Sequence, residues 1–356
     1  MLEQLNSQFD IKAEKRPFRW WYIPLLIALI IGTLYAVHTD RTAGRKMGHE
    51  VQKCEGSIFG TVYHITYMYE KDLHDSIKSV LNEVDQSLSP FNKTSIITAI
   101  NENRSTQVND MFAEVFTLAK AVSQVTDGAF DITVAPLVNA WGFGFRNQDT
   151  VNDDTIQALL QHVGIEKVRL EERNIVKADS CVMLDCSAIA KGYGVDAVGK
   201  YLEKRGISDY MVEIGGEIRV RGKNPKGEKW NIAITKPEDD NLCQQNDVQE
   251  VLHVTDIAMA TSGNYRNYYE KDNKKYAHTI DPHTGYPVQH SILSSTVFAD
   301  DCATADAFAT AFMVMGLDKA RELLKKHKEL QAYIIYSVSD DSTAVWQTDK
   351  IKQKAF

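Results

Sequence analysis

The chain is poor in cysteine: five in 356 residues (Cys54, Cys181, Cys186, Cys243 and Cys302), with no CxxC pair among them. That excludes a disulfide-framed small domain and the usual spacing of zinc ligands. At most two disulfides can form, and none is required. Positive charge is also in deficit. Forty Lys and Arg against forty-eight Asp and Glu leave a formal charge of −8, the wrong sign for a protein that tracks a phosphate backbone, so nucleic acid is not an expected partner. Neither a Walker A loop nor a GxGxxG fingerprint occurs, which removes the two common phosphate-cradling motifs. There is no internal repeat or low-complexity tract, and a composition of 44% hydrophobic and 25% charged residues is that of an ordinary folded protein.

Long apolar runs are absent with one exception. Trp20 to Val37 is eighteen residues without a charge, flanked by Lys15, Arg16 and Arg19 and carrying Trp20, Trp21, Tyr22 and Tyr35 toward its ends. At 1.5 Å per residue such a run comes close to spanning a bilayer core, and the aromatic rings suit the headgroup layer. A cleaved signal peptide shares the basic flank, but the run exceeds the usual apolar region and no small-x-small site follows. The expectation is an uncleaved transmembrane anchor over residues 20–38, with residues 1–19 before it and a polar tether over 39–50. Lys12, Lys15, Arg16 and Arg19 on one side are matched by Arg41, Arg45, Lys46 and Lys53 on the other, so charge does not set the orientation. Cys54 lies well past the run, without the small and apolar residues that a lipidation site needs.

Residues 51–356 form the folded part. Gly60 to Tyr67 alternates with period two, as a strand does, and Leu73 to Leu88 carries helical spacing. Helices are also expected over Met111–Val125, Thr155–Val163 and Ile189–Arg205, and strands over Tyr210–Arg221, interrupted by Gly215 and Gly216, and Trp230–Thr235. Asp301 to Met315, nearly all small or apolar, predicts a deeply buried helix, with an amphipathic one over Asp318–Lys326. Strands and helices mix without a regular βαβ beat. The expected fold class is therefore α+β, in one compact domain.

The buried helix carries Asp306 and Thr310, which at i and i+4 share one face. A carboxylate in such a rod needs a partner. A hard divalent cation such as Mg²⁺ is one answer, since it takes carboxylate, hydroxyl, carbonyl and phosphate oxygens together. The alternative is that Thr310 bonds back to its own helix and Asp306 meets a lysine or a helix cap. The segment His278-Thr279-Ile280-Asp281-Pro282-His283-Thr284-Gly285 builds a tight turn, and places a group that titrates near neutrality beside a carboxylate. As a mere hairpin it carries no chemistry. Asp185 to Gly194 runs from a strand, the apolar stretch Val182–Asp185, into a helix, where backbone amides and Lys191 can meet phosphate oxygens. Pro136–Gly144 and Ser262–Tyr269 add aromatic faces suited to a ring system. On residues alone the reading ends at a metal-dependent site for a phosphorylated, aromatic ligand.

Taken in order, GAFDITVAPLVNAWGFG, DCSAIAKGYGVDAV, VEIGGEIRVRG, TSGNYRNYY, HTIDPHTGYP and DAFAT closely resemble the ApbE family of FAD:protein FMN transferases, over about Gly56 to Lys350. The resemblance implies an α+β domain with a T-fold-like core that binds FAD as substrate and uses Mg²⁺. It implies transfer of FMN through a phosphoester to a Ser or Thr hydroxyl of a target protein, with AMP leaving. On the matching positions the resemblance implies that Asp306, Thr310 and the backbone carbonyl of Ala188 hold Mg²⁺, and that Phe59, Phe91, Ala129, Phe130, Asp131, Asp185, Lys191 and Ile280 contact FAD. It implies that His278 assists the attacking hydroxyl, with Asp281 as the rival base. Some relatives carry a second acid where this chain has Ala309. Many relatives are lipoproteins, whose anchoring the apolar run replaces here. The family's targets are extracytoplasmic subunits of redox-driven membrane complexes, such as the sodium-pumping NADH:quinone reductase and Rnf-type complexes. That implies a single-pass inner-membrane protein with its domain on the periplasmic side. An FAD pyrophosphatase and a non-catalytic FAD-binding module are the alternatives.

Overall fold

The computed structural model describes residues 50–145, 151–236, 248–263, 268–271, 274–289, 291–339 and 342–353. The apolar run at 20–38 and its flanks lie outside the described residues. Among those described, no helix is long and apolar enough to cross a membrane. In chain order the domain begins with β1 (Val51–Ile58), β2 (Thr61–Met68), α1 (His74–Leu88), α2 (Ile96–Asn101), α3 (Asp110–Val125), α4 (Ala135–Ala140) and α5 (Asp153–Leu160). Then follow β3 (Val168–Glu171), β4 (Asn174–Lys177), α6 (Ala190–Glu203), β5 (Tyr210–Ile214), β6 (Glu217–Arg221), β7 (Trp230–Thr235), β8 (Val248–Val254) and β9 (Ile257–Gly263). The last elements are β10 (Tyr268–Lys271), β11 (Lys274–Ala277), β12 (Ile292–Ala299), α7 (Cys302–Met315), α8 (Leu317–Lys326), β13 (Gln331–Ser339), β14 (Ser342–Gln347) and α9 (Asp349–Lys352).

Eight strands form one antiparallel sheet in the order β1-β2-β5-β6-β9-β12-β13-β14. Alternation sends successive side chains to opposite faces. In β12, Val297 joins the core beneath the helices, whereas Phe298 packs with Trp230, Ile232 and Leu252 of the β7–β8 hairpin on the other side. The central strands are therefore buried on both faces, which explains why β12 is apolar almost throughout.

Helix α7 lies under the sheet and is almost wholly buried. Its alanines allow this: Ala303, Ala305, Ala307, Ala309 and Ala311 leave little side chain between backbones. Asp301 caps its start, accepting from the Thr304 amide at 2.8 Å. Helix α6 packs directly against it. A Cβ on Gly192 would stand 2.3 Å from the Cys302 carbonyl oxygen, so only glycine permits the approach. The Asp196 carboxylate then accepts from the Ala303 amide at 2.9 Å, tying one helix to the start of the other.

Two expectations change. Tyr210–Arg221 is not one interrupted strand but a hairpin. Ile214 pairs with Glu217 across Gly215 and Gly216, whose φ values of 63° and 104° are the left-handed pair that a two-residue hairpin turn demands. The apolar stretch before α6 is not a strand either. Val182 to Asp185 has no ladder partner, because the Asn101 side chain takes both backbone groups of Leu184: its oxygen accepts the amide at 2.7 Å and its nitrogen donates to the carbonyl at 2.8 Å. The helices otherwise fall where their periodicity places them. Cys54, Cys181, Cys186 and Cys302 are free thiols.

Candidate active site

A cleft of about 830 Å³ opens where the β1–β2 turn, the start of α6, the β5–β6 turn, the end of β9 and the Asp306–Thr310 face of α7 converge. Twelve of the thirteen residues expected at the site line it: Phe59, Phe91, Ala129, Phe130, Asp131, Asp185, Ala188, Lys191, His278, Ile280, Asp306 and Thr310. Asp281 does not.

Asp306 sits at the floor, 2% exposed. Its Oδ2 accepts from the Gly192 amide at 3.0 Å, and among the described residues Oδ1 has no hydrogen-bond partner. Burial pushes this carboxyl above its ordinary range, opposed by the Lys191 ammonium and the Gly192 amide. One turn further along, the Thr310 hydroxyl does not bond back to its helix. It meets the Ser262 hydroxyl of β9 at 2.9 Å. Carboxylate, two hydroxyls and the Ala188 segment thus face one volume with oxygen donors, and among the described residues no thiol joins them. Such a set fits a hard divalent cation. Ala309 is buried and supplies no second acid on this helix.

Lys191 enters from the first turn of α6 and forms an ion pair with Glu217. Burial alone would lower the lysine's pKa, but the Glu217 and Asp306 carboxylates outweigh it and hold the ammonium form. Glu217 itself is pushed above the usual carboxylate range by burial, against the pull of Lys191. Sequence reasoning missed Glu217 and Ser262. The signal for Glu217 was the Gly-Gly pair before it, which fixes the hairpin and so the side chain's direction.

Asp131 and Asp185 line the cleft with their carboxylates already engaged. Asp131 accepts from the Thr133 amide and hydroxyl, each at 2.7 Å, and from the Ile165 amide at 2.8 Å. Asp185 accepts from the Ser187 amide at 2.8 Å and its hydroxyl at 2.5 Å. Burial raises the pKa of both, with these hydrogen bonds opposing. They shape the wall rather than offer a free charge.

Aromatic faces lie toward the mouth. Phe59, at φ 52° in the β1–β2 turn, lays its ring against Gly194, where a Cβ would come within 2.7 Å of the ring. Phe91 is 63% exposed and meets Phe145 edge-on at 6.2 Å. Phe143 meets the His278 ring edge-on at 6.4 Å, so the half-buried imidazole is held at the cleft by an apolar neighbour.

The turn after His278 sends Asp281 elsewhere. Ile280 bridges to Pro287, the Asp281 amide donates to the Tyr286 carbonyl at 2.9 Å, and the Gly285 amide donates to the Asp281 carbonyl at 2.8 Å. The Asp281 carboxylate accepts from the His283 amide at 2.9 Å and meets its Nδ1 at 3.1 Å, while His283 Nε2 donates to the Asp127 carbonyl at 2.8 Å. Asp281 and His283 therefore face a second, charged cavity of about 620 Å³ beside α8, which adjoins the cleft at Ala129 and Val314.

Comparison with known proteins gives this arrangement a setting. The family model described as the ApbE family matches residues 59–334. An FAD:protein FMN transferase of Haemophilus influenzae is 39% identical over 326 residues, covering 86% of this chain and 92% of that protein. One of Escherichia coli is 34% identical over 342 residues, covering 92% and 96%. Among solved structures, the flavin transferase ApbE from Vibrio cholerae superposes with a TM-score of 0.77 at 36% identity, covering 85% of this chain and 99% of that one. The apo form of the Pseudomonas stutzeri flavinyl transferase ApbE gives 0.76 at 28% identity, covering 86% and 97%. Matched in sequence along most of its length and in fold to solved members, the chain belongs to the ApbE family.

Proposed function

We infer that this chain transfers FMN from FAD to a protein acceptor, forming a phosphoester on a Ser or Thr hydroxyl and releasing AMP. The observation that carries the reading is the cleft itself. A buried carboxylate with one oxygen unpaired, two hydroxyls and a lysine held as the ammonium meet beneath aromatic walls.

The chemistry follows from the residues. Asp306, Thr310 and the Ala188 carbonyl would hold Mg²⁺, which supplies charge stabilisation at diphosphate oxygens when bound. Lys191 brings a second positive charge to the same oxygens. Phe59, Phe91 and Phe143 offer faces for the ring systems of FAD, burying apolar area while the diphosphate points inward. His278 takes the proton of the incoming hydroxyl. The new bond joins the acceptor oxygen to the FMN phosphorus; the bond broken is that between this phosphorus and the bridging oxygen, which departs with AMP. Little covalent work falls to the protein, and placement of charge does most of it.

Residues 20–38 would anchor the chain in the inner membrane as a single pass, with the domain on the periplasmic side, supported by the uncharged run and its aromatic ends. Acceptors would then be extracytoplasmic subunits of redox-driven membrane complexes of the sodium-pumping NADH:quinone reductase and Rnf types. A reporter fused after Phe356 should be active only outside the cytoplasm; cytoplasmic activity alone would remove the topology.

The activity is tested by incubating the full chain with FAD, Mg²⁺ and a flavin-acceptor domain, then weighing the acceptor and counting AMP. One FMN gained per AMP released is the expected result. Free FMN and AMP beside an unmodified acceptor would make the protein a pyrophosphatase, and intact FAD would make it a carrier.

A further inference from the structure

Glu217 belongs to no part of the chemistry above, yet it is the most deeply buried charged side chain in the cleft wall, 1% exposed. The hairpin turn aims it. Gly215 and Gly216 occupy left-handed backbone, as a two-residue hairpin turn demands, and a Cβ on Gly215 would come within 2.7 Å of the Thr61 side chain, so that position takes glycine. One carboxylate oxygen, Oε1, holds the Lys191 ammonium. The other, Oε2, is buried without a hydrogen-bond partner among the described residues.

A half-satisfied buried carboxylate costs the fold free energy, and a buried ion pair seldom returns more than an apolar pair of similar volume. The pair's effect is therefore to be sought at Lys191. That lysine is 32% exposed toward the cleft, on a flexible four-carbon stem, with the Asp306 carboxylate the strongest negative influence on it after Glu217. Its own backbone is fixed, because the next amide is bonded to Asp306. Without Glu217, the ammonium would turn to Asp306, and the floor carboxylate and the lysine would neutralise one another.

We propose that Glu217 is a positioning residue: it holds the Lys191 ammonium away from Asp306, so that the lysine serves the substrate diphosphate and the carboxylate remains available to a divalent cation. This rests on the reading of the cleft as an FAD site.

The test is a double-mutant cycle on the full chain with Glu217→Gln, Lys191→Met and the pair together, reading FMN transfer, FAD affinity by flavin fluorescence and melting temperature. Glu217→Gln is expected to lower transfer ten- to a hundredfold, about the range of coupling between contacting residues. In the Lys191→Met background the same change should alter transfer less than threefold, because there is no lysine left to position. A merely structural residue would instead give additive losses and a lowered melting temperature in both backgrounds. Additive losses, or a Glu217→Gln protein within twofold of the wild type, would overturn the proposal. If Glu217→Gln alone does not fold, Lys191→Met/Glu217→Met buries no unpaired charge and is expected to fold with an unchanged melting temperature; its failure to fold would also overturn it. Should the wild type bind FAD but modify no acceptor, transfer fails as a reading while the same cycle, run on FAD affinity, still decides the role of Glu217. A wild type that binds no FAD would sink both.

Discussion

Asp306 and Asp281 are two carboxylates in two regions built on opposite principles. The first lies in a helix of small residues, 2% exposed, with one amide for company and an oxygen unpaired. The second sits in a turn at the surface, where the His283 amide and ring Nδ1 both meet its Oδ1 and the side chain, 24% exposed, leaves the rest to water. A polar group that its neighbours complete locally stabilises a turn. One that the fold buries and leaves incomplete is positioned for something the fold does not contain. Either residue, seen in sequence beside a titratable or hydroxyl partner, invites a catalytic reading. The structure separates them by what each already touches.

Substitutions can break or sharpen this contrast. The largest effect is expected from Asp306→Ala, which should lower FMN transfer about a thousandfold, the upper range for removing one element of electrostatic stabilisation. Its melting temperature without metal should not fall in step, since a buried charge is removed together with its only hydrogen bond. Differential scanning calorimetry beside the transfer assay would show it. His278→Ala is expected to cost about a hundredfold in kcat with little change in the KM for FAD, as loss of a general base does. A rise in KM alone would reassign the imidazole to binding.

Gly192→Ala probes the helix contact that delivers the floor carboxylate. Its Cβ would stand 2.3 Å from a backbone oxygen that cannot swing aside, so α6 and α7 must separate at a cost of about 1–3 kcal/mol in chemical denaturation. Transfer should fall as well, because the displaced amide is the one bonded to Asp306. The smallest effect is expected from Asp281→Ala: about 1 kcal/mol of stability through the lost turn bonds, and transfer within about threefold of the wild type.

How much of this was legible in the sequence depends on the kind of signal. Helix α7 was plain, because a run of alanines and large apolar residues has no other stable place than a core, and Asp306 and Thr310 share its face by period alone. The β5–β6 hairpin was legible only in part. Two glycines in a strand pattern mark a break, but that both take positive φ, and so aim Glu217 into the cleft, shows only in the folded hairpin. Val182 to Asp185 looked like a strand because apolar runs do; Asn101 had already taken its backbone bonds from another element. Ser262 carried no local signal, and its part emerges only when β9 is laid across α7. Asp281 shows the reverse case: its neighbours in sequence suggested chemistry, and its hydrogen bonds commit it to the turn. Period and turn chemistry are local, whereas the partner that completes or abandons a polar group is not.

The measurement that tests the account most directly is a parallel mass-spectrometric time course of one acceptor domain with FAD, Mg²⁺ and the wild type, Asp306→Ala or Asp281→Ala chain. The account predicts an acceptor carrying one FMN with the wild type and with Asp281→Ala at similar rates, and an unmodified acceptor with Asp306→Ala. Modification by Asp306→Ala at the wild-type rate, or its loss in Asp281→Ala alone, would contradict it.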